Sequence, residues 1–171
     1  MNQYLWLEQK RIKHEIKNDL SEMIIDMGYI VNNTQYSYFS NENFSDIRNS
    51  KNKNLFIKFQ SKIFNNIKIY MEISDRYPFR LPNKIQVNNE DYINLLKIPG
   101  QYLELVNVTK CLCCSSITCS NNWSVGNKLI DIINEVESII EMKKRIVYLI
   151  CCRVIKRKYL NHDIDIERYI K

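Results

Sequence analysis

Six cysteines carry the reactive chemistry of this 171-residue chain, and four of them, Cys111, Cys113, Cys114 and Cys119, fall within one short stretch. Cys111-x-x-Cys114 has the spacing of a zinc knuckle, and Cys119 stands where a third ligand would. A tetrahedral ion then needs a fourth group. Cys113 adjoins Cys114, and neighbouring side chains rarely reach the same ion well, so His14, His162 or a water would have to serve. No second CxxC accompanies the first. The same thiols, left metal-free, have two other uses. A thiolate is a nucleophile, and Lys110 beside Cys111 favours the charged form; otherwise these are small, half-buried apolar groups. Cys151 and Cys152 lie in an apolar stretch and are expected as core thiols. His14 is expected on a helix surface, and His162 sits in a polar tail without the partners of a triad. Three glycines in the whole chain exclude a glycine-rich phosphate loop.

Composition and the opening residues predict a globular chain that is not secreted. At 171 residues one domain can bury a core without disulfides or a metal. The opening MNQYLWLEQKRIK puts charges where a signal peptide needs an apolar core. The longest apolar run, Ile146 to Ile155, is too short to span a bilayer and is broken by Arg153. Cysteines without a secretion signal point to a reducing compartment, cytoplasm or nucleus, so they are expected as thiols or ligands rather than disulfides. Alanine is absent, while isoleucine, asparagine, lysine and tyrosine abound. Those residues have A/T-rich codons, which suits the genome of a large DNA virus, a protist or a parasite. For a virus the compartment becomes the host cell or the virion. The net charge of +6 is uneven: nine Lys/Arg against four Asp/Glu follow from Glu141 onward, leaving residues 1–140 nearly neutral. The basic segment 141–171 suits an acidic partner or nucleic acid, or simply a solvated helix face.

The elements that must position the cysteines are legible from periodicity. Leu5, Ile12, Ile16 and Leu20 recur at helical spacing, with Gly28 as the stop. Asn32 to Lys53, punctuated by Tyr36, Tyr38, Phe39 and Phe44, reads as an edge strand and a loop. Leu55, Ile57 and Phe59 alternate, as do Ile67, Ile69, Met71 and Ile73, which predicts half-buried antiparallel strands joined by a turn at Phe64-Asn65-Asn66. Ile85 and Val87 mark a fourth, short strand after YPFRLP at 77–82. From Asn88 to about Asn122 the pattern is irregular. Leu129, Ile132, Ile133, Val136, Ile139 and Ile140 then return to helical spacing, and a second helical pattern runs from Met142 to Leu160 through Ile146, Ile150 and Val154. The predicted class is α+β: an N-terminal helix, a four-stranded antiparallel meander, a cysteine-bearing loop, and C-terminal helices packed on one face.

Two stretches resemble one family. The order of elements with Tyr77-Pro78-Phe79-Arg80-Leu81-Pro82 is similar to ubiquitin-conjugating enzymes and to their non-catalytic relatives, the RWD domains, in which a Tyr-Pro-x-x-x-Pro turn leads into the fourth strand. KCLCCSSITCSNNWSVGNKLIDII resembles the conjugating-enzyme stretch in which Cys-Leu is followed by Trp-Ser-Pro and a helix; Cys111-Leu112 stands for the nucleophile pair and Trp123-Ser124 for the Trp-Ser. The likeness covers roughly residues 3–140. It implies a UBC-like domain over 1–140 and a basic helical extension, 141–171, packed on it. There are departures. The His-Pro-Asn motif is not recognisable upstream of Cys111, with Asn107 the only asparagine near, and Val125 replaces the proline after Trp-Ser. The interval from Cys111 to Trp123 is long, which makes Cys114 the better match by distance.

The resemblance implies a thioester relay. Cys111, or Cys114, would take ubiquitin or a ubiquitin-like protein from an activating enzyme and pass it on with a ligase. No cofactor is needed for that, whereas the alternative is zinc on Cys111, Cys114 and Cys119. Two further readings stand beside the transferase. One is a non-catalytic adaptor of the same fold that binds ubiquitin or a ligase; the other is a structural or nucleic-acid-associated protein, of a virion for instance. Trp123 and the Tyr77-Pro78 turn are expected to be structural, with Trp123 largely buried.

Overall fold

The computed structural model describes residues 9–40, 50 and 53–159. Leu5, Trp6, Phe44, Leu160 and His162 lie outside the described residues. The chain is α+β. Helix α1 (Lys10–Glu15) runs into a π-helical turn over Ile16–Leu20, and Ile12, Ile16 and Leu20 form its fully buried stripe. Strands β1 (Ile24–Val31), β2 (Thr34–Ser37), β3 (Lys53–Gln60), β4 (Lys68–Ile73), β5 (Lys84–Val87) and β6 (Glu90–Asp91) follow. Short helices α2 (Tyr92–Leu96), α3 (Gly100–Leu103) and α4 (Leu112–Ser115) carry the chain to α5 (Leu129–Tyr159), with a 3-10 turn over Glu104–Val106 between α3 and α4.

The strands form one antiparallel sheet in the order β2-β1-β3-β4-β5-β6. Six strands replace the four expected, and two local causes account for the difference. First, Ile24 to Val31 leaves the helical stripe and pairs with both β2 and β3. Gly28 is therefore no helix stop. It faces Ser37 on one side and Phe56 on the other, and a Cβ built on it would overlap the Tyr36 carbonyl. Second, Asn32-Asn33 and Asn88-Asn89 all have positive φ, between 50° and 69°. Two such residues in a row make the tight turn whose twist suits a hairpin, and asparagine tolerates that backbone better than most side chains. Each pair folds a short strand back onto an edge: Val31 faces Thr34, and Val87 faces Glu90. The edge strand expected after Asn32 is β2.

One face of the sheet carries the core. Leu55, Ile57 and Phe59 of β3 and Ile69, Met71 and Ile73 of β4 project towards α1 and α5, which supply Ile12, Ile16, Leu129, Ile132, Ile133 and Val136. Burying each such side chain contributes roughly 1.5–3 kcal/mol before conformational entropy is subtracted. The opposite face is sparser. Phe56 is buried there by the Tyr70 ring, stacked at 6.2 Å, while the Lys58 ammonium lies 5.3 Å from the Phe56 centroid and pairs with Asp26 at 2.9 Å.

The two helical patterns near the C-terminus are one continuous helix of 31 residues. Its last buried position is Ile146; Val154 is 55% exposed, so the apolar side expected to pack through Val154 does not. Cys151 is exposed and Cys152 half-buried for the same reason, instead of being core thiols. Lys143 is half-buried, and burial lowers its pKa. No helix among the described residues is long and apolar enough to cross a membrane.

A buried carboxylate joins three separate parts of the chain. Glu15, 1% exposed, accepts hydrogen bonds from the Tyr77 hydroxyl at 2.8 and 2.9 Å, from the Leu129 amide at 3.0 Å and from the Arg11 guanidinium. Burial first, and then the adjoining carboxylate, push the Tyr77 hydroxyl far above its usual pKa, so it remains a neutral donor. Leu129 opens α5, and Asp131 accepts the preceding Lys128 amide at 2.8 Å. Two carboxylates thus satisfy amides that the helix itself leaves unpaired, at its positive end.

Trp123 is half-buried rather than largely buried. Its ring lies 6.1 Å from that of Tyr77, and its indole N–H donates to the Pro78 carbonyl at 2.9 Å. The two stretches that carry the family resemblance therefore touch. Glu15→Gln is expected to destabilise the fold by about 2–3 kcal/mol, because it weakens charge-assisted bonds, and Tyr77→Phe by about 1–2 kcal/mol. Urea unfolding of the three proteins measures this, and a midpoint unchanged in Glu15→Gln would show that the carboxylate is not a structural hub.

Candidate thiol site

Local helix formation brings three of the cysteines together. Cys111 has an extended backbone (φ −61°, ψ 128°) at the N-cap of α4, and the helical turn then reverses Cys113 and Cys114 back beneath it. The Cys111 and Cys113 sulfurs are 2.7 Å apart, the Cys113 and Cys114 sulfurs 3.9 Å, and all three lie within 4.8 Å of one another. Cys111 and Cys114 are exposed, whereas Cys113 is half-buried and packs against the core.

No formed side-chain cap bond closes this turn, yet its polar groups face the Cys111 sulfur. The Cys113 thiol, then the backbone amides of Cys113 and Cys114, hold the Cys111 thiol below its ordinary pKa, which is how a helix start activates a cysteine. The same contacts act in reverse on Cys113, whose thiol is pushed up to about 11 by its bonds to Cys111 and Cys114. Of the pair, Cys111 is the thiol held below its ordinary pKa and Cys113 the one held above it. Lys110, expected to favour the thiolate, is not among the groups that do so.

The loop is held from below. Glu135 on α5 accepts the Ser116 hydroxyl at 2.9 Å, the Ile117 amide at 3.0 Å and the Tyr92 hydroxyl at 2.7 Å. Ser116 is buried, and Leu112 is 9% exposed. The Asn122 amide spans the loop, donating to the Cys114 and Ser116 carbonyls at 2.8 and 2.9 Å. These bonds fix α4 on the domain while the sulfurs stay at its surface. Glu135 escapes sequence reading because a carboxylate one position before Val136 looks like any solvated helix glutamate. Asn122, in a polar run, gives no signal either.

The other expected site residues fall elsewhere. Cys119, expected as the third metal ligand, is outside the group of converging sulfurs, and Cys113 takes its place. The Cys119 carbonyl instead accepts the Asn122 and Trp123 amides at 2.8 and 3.1 Å, in the turn that delivers Trp123 to Tyr77. Cys113 and Cys114, though adjacent, both come near the Cys111 sulfur because Cys111 sits at the start of the same helical turn. His14 is exposed and bonded to Asn18 rather than to any cysteine. Asn107 ends the 3-10 turn in a left-handed conformation, φ 59°, and is exposed.

A cavity of about 720 Å³ is lined by Phe64, Val106, Val108, Glu137, Met142 and Arg145 among others, with no cysteine in its lining.

Glu135→Gln should leave the sheet intact and loosen the loop. A neutral amide accepts the Ser116 and Ile117 bonds more weakly, by about 1–2 kcal/mol in total. Limited proteolysis should cut within residues 111–122 faster than in the native chain; equal rates would show that Glu135 does not anchor the loop. Compared with protein-family models, with curated proteins and with solved structures, the chain matches none.

Proposed function

We propose that this chain is a ubiquitin-conjugating-type protein that carries ubiquitin or a ubiquitin-like modifier as a thioester on Cys111. The observation that carries the reading is the setting of one sulfur. Cys111 is exposed at the start of a helical turn, faced by two backbone amides and by the Cys113 thiol. A nucleophile for acyl transfer needs that combination of access and stabilised negative charge. The reading is also supported by the order of elements and by the clasp between Tyr77-Pro78 and Trp123.

The chemistry requires no change of oxidation state. The Cys111 thiolate attacks the thioester carbonyl on an activating enzyme, and the enzyme's own cysteine leaves as thiolate. In the second step a lysine amine, or a ligase thiol, attacks the new thioester; Cys111 leaves, and the amine proton passes to water. Cys114 is exposed too, but its amide is directed at Cys111, which favours Cys111 as the acceptor of the modifier. On this reading the partners are a modifier, an activating enzyme and a ligase. The basic side of α5, with Arg145, Arg153 and Arg157 exposed, remains for an acidic partner or nucleic acid.

Charging across a panel of activating enzymes and modifiers, read on non-reducing gels, tests the proposal. A band one modifier heavier is expected, lost on adding thiol. Cys111→Ser should convert it to a thiol-resistant ester or abolish it, while Cys114→Ser should retain it. Loss of the adduct in Cys114→Ser alone would move the nucleophile to Cys114. Binding of ubiquitin or a ligase without charging by any enzyme would replace the transferase reading with the adaptor.

A further inference from the structure

We propose that Cys111, Cys113 and Cys114 form a binding site for one soft, thiophilic metal ion, zinc(II) or a similar d¹⁰ cation, held by three thiolates with a fourth position open. The three sulfurs already lie within 4.8 Å of one another on a turn anchored by Leu112, Ser116 and Glu135. Sulfurs at about 2.3 Å from a tetrahedral ion stand roughly 3.8 Å apart. The Cys113–Cys114 separation of 3.9 Å meets that requirement as it stands. The Cys111–Cys113 pair, at 2.7 Å, must open by about 1 Å to accept the same ion. Cys111 is exposed, so the sulfur that must move is a surface one.

The donor set selects the ion. Among the described residues no carboxylate or imidazole belongs to the group, so hard, oxygen-seeking ions such as magnesium or calcium find no ligands. Each thiol that is still protonated yields its proton to water when the metal binds, and no electron moves. Exposure of Cys111 and Cys114 leaves the open position to water or to a donor from a partner. A second consequence rests on the proposed transferase reading. A Cys111 thiolate bound to metal shares its charge with the ion and is crowded by it, so it attacks a thioester more slowly and the ion would slow charging.

Cadmium(II) titration of the reduced full-length chain reports thiolate ligation directly, through sulfur-to-metal charge-transfer absorption. One equivalent per chain is expected, displaced by excess zinc. Cys113→Ser and the surface variant Cys114→Ser should each weaken binding by about 100-fold or more, since a ligand matters at least as much as the groups that orient it. Cys119→Ser and Cys151→Ser should leave it unchanged, and circular dichroism confirms that each variant is folded. Absence of the absorption band overturns the site. Equal weakening by Cys119→Ser and Cys113→Ser overturns the ligand set. Charging is then measured with zinc and after chelation. Charging that zinc does not slow overturns the regulatory consequence. Cadmium ligation in a chain that no enzyme charges upholds the metal site and refutes the transferase reading alone.

Discussion

A buried carboxylate must find donors or else destabilise whatever encloses it, and Glu15 finds them in three separate parts of the chain. Arg11 lies on its own helix, Tyr77 in the turn before β5, and Leu129 at the start of α5. None of these would be brought together by apolar packing alone, which is non-directional. The carboxylate therefore sets where α5 begins and how far the YPFRLP turn sits from α1. Trp123 then reaches the same place from the other side, resting on Tyr77 and donating to Pro78. The segment between the YPFRLP turn and Trp123, with all four clustered cysteines in it, is pinned at both ends.

Within that pinned segment the energetic pattern repeats on a smaller scale. Glu135 collects Tyr92, Ser116 and Ile117 as Glu15 collects Tyr77 and Leu129; one carboxylate is carried on α5 and the other binds its first residue. The division of labour is physical. Apolar side chains of α5, from Leu129 to Ile146, supply burial, and its glutamates supply direction. A surface turn of four residues has too few contacts to hold three sulfurs in place by itself. Tied to a 31-residue helix, it can present Cys111 in one orientation while leaving it accessible to a bulky partner.

How much of this the sequence displays depends on the range of the interactions. Period-two alternation in β3 and β4 is a local property, so Leu55-Ile57-Phe59 and Ile69-Met71-Ile73 announce themselves, as does the stripe of α5. β1 does not, because Ile24-Ile25-Asp26-Met27 follows a helix without a glycine or proline to end it. The Asn-Asn turns hide for a related reason: asparagine is so abundant in this chain that two adjacent copies carry little contrast. The proximity of Cys113 to Cys111 is hidden because it depends on the local turn: a helical turn places residues two and three apart against the residue before it. Glu15 and Glu135 are invisible until the fold exists, since their partners lie as far as 114 and 43 residues away.

The central claim is that the α4 turn makes Cys111 the reactive thiol of the six. Alkylation of the native chain with a small iodoacetamide, sampled over time and resolved by peptide mass spectrometry, measures this cysteine by cysteine. Cys111 should be modified first, ahead of the equally exposed Cys114 and Cys151, with an advantage that disappears in denaturant. If Cys151, on an exposed helix with no such turn around it, reacts as fast as Cys111 in the native chain, the turn does not activate its cysteine and the account fails.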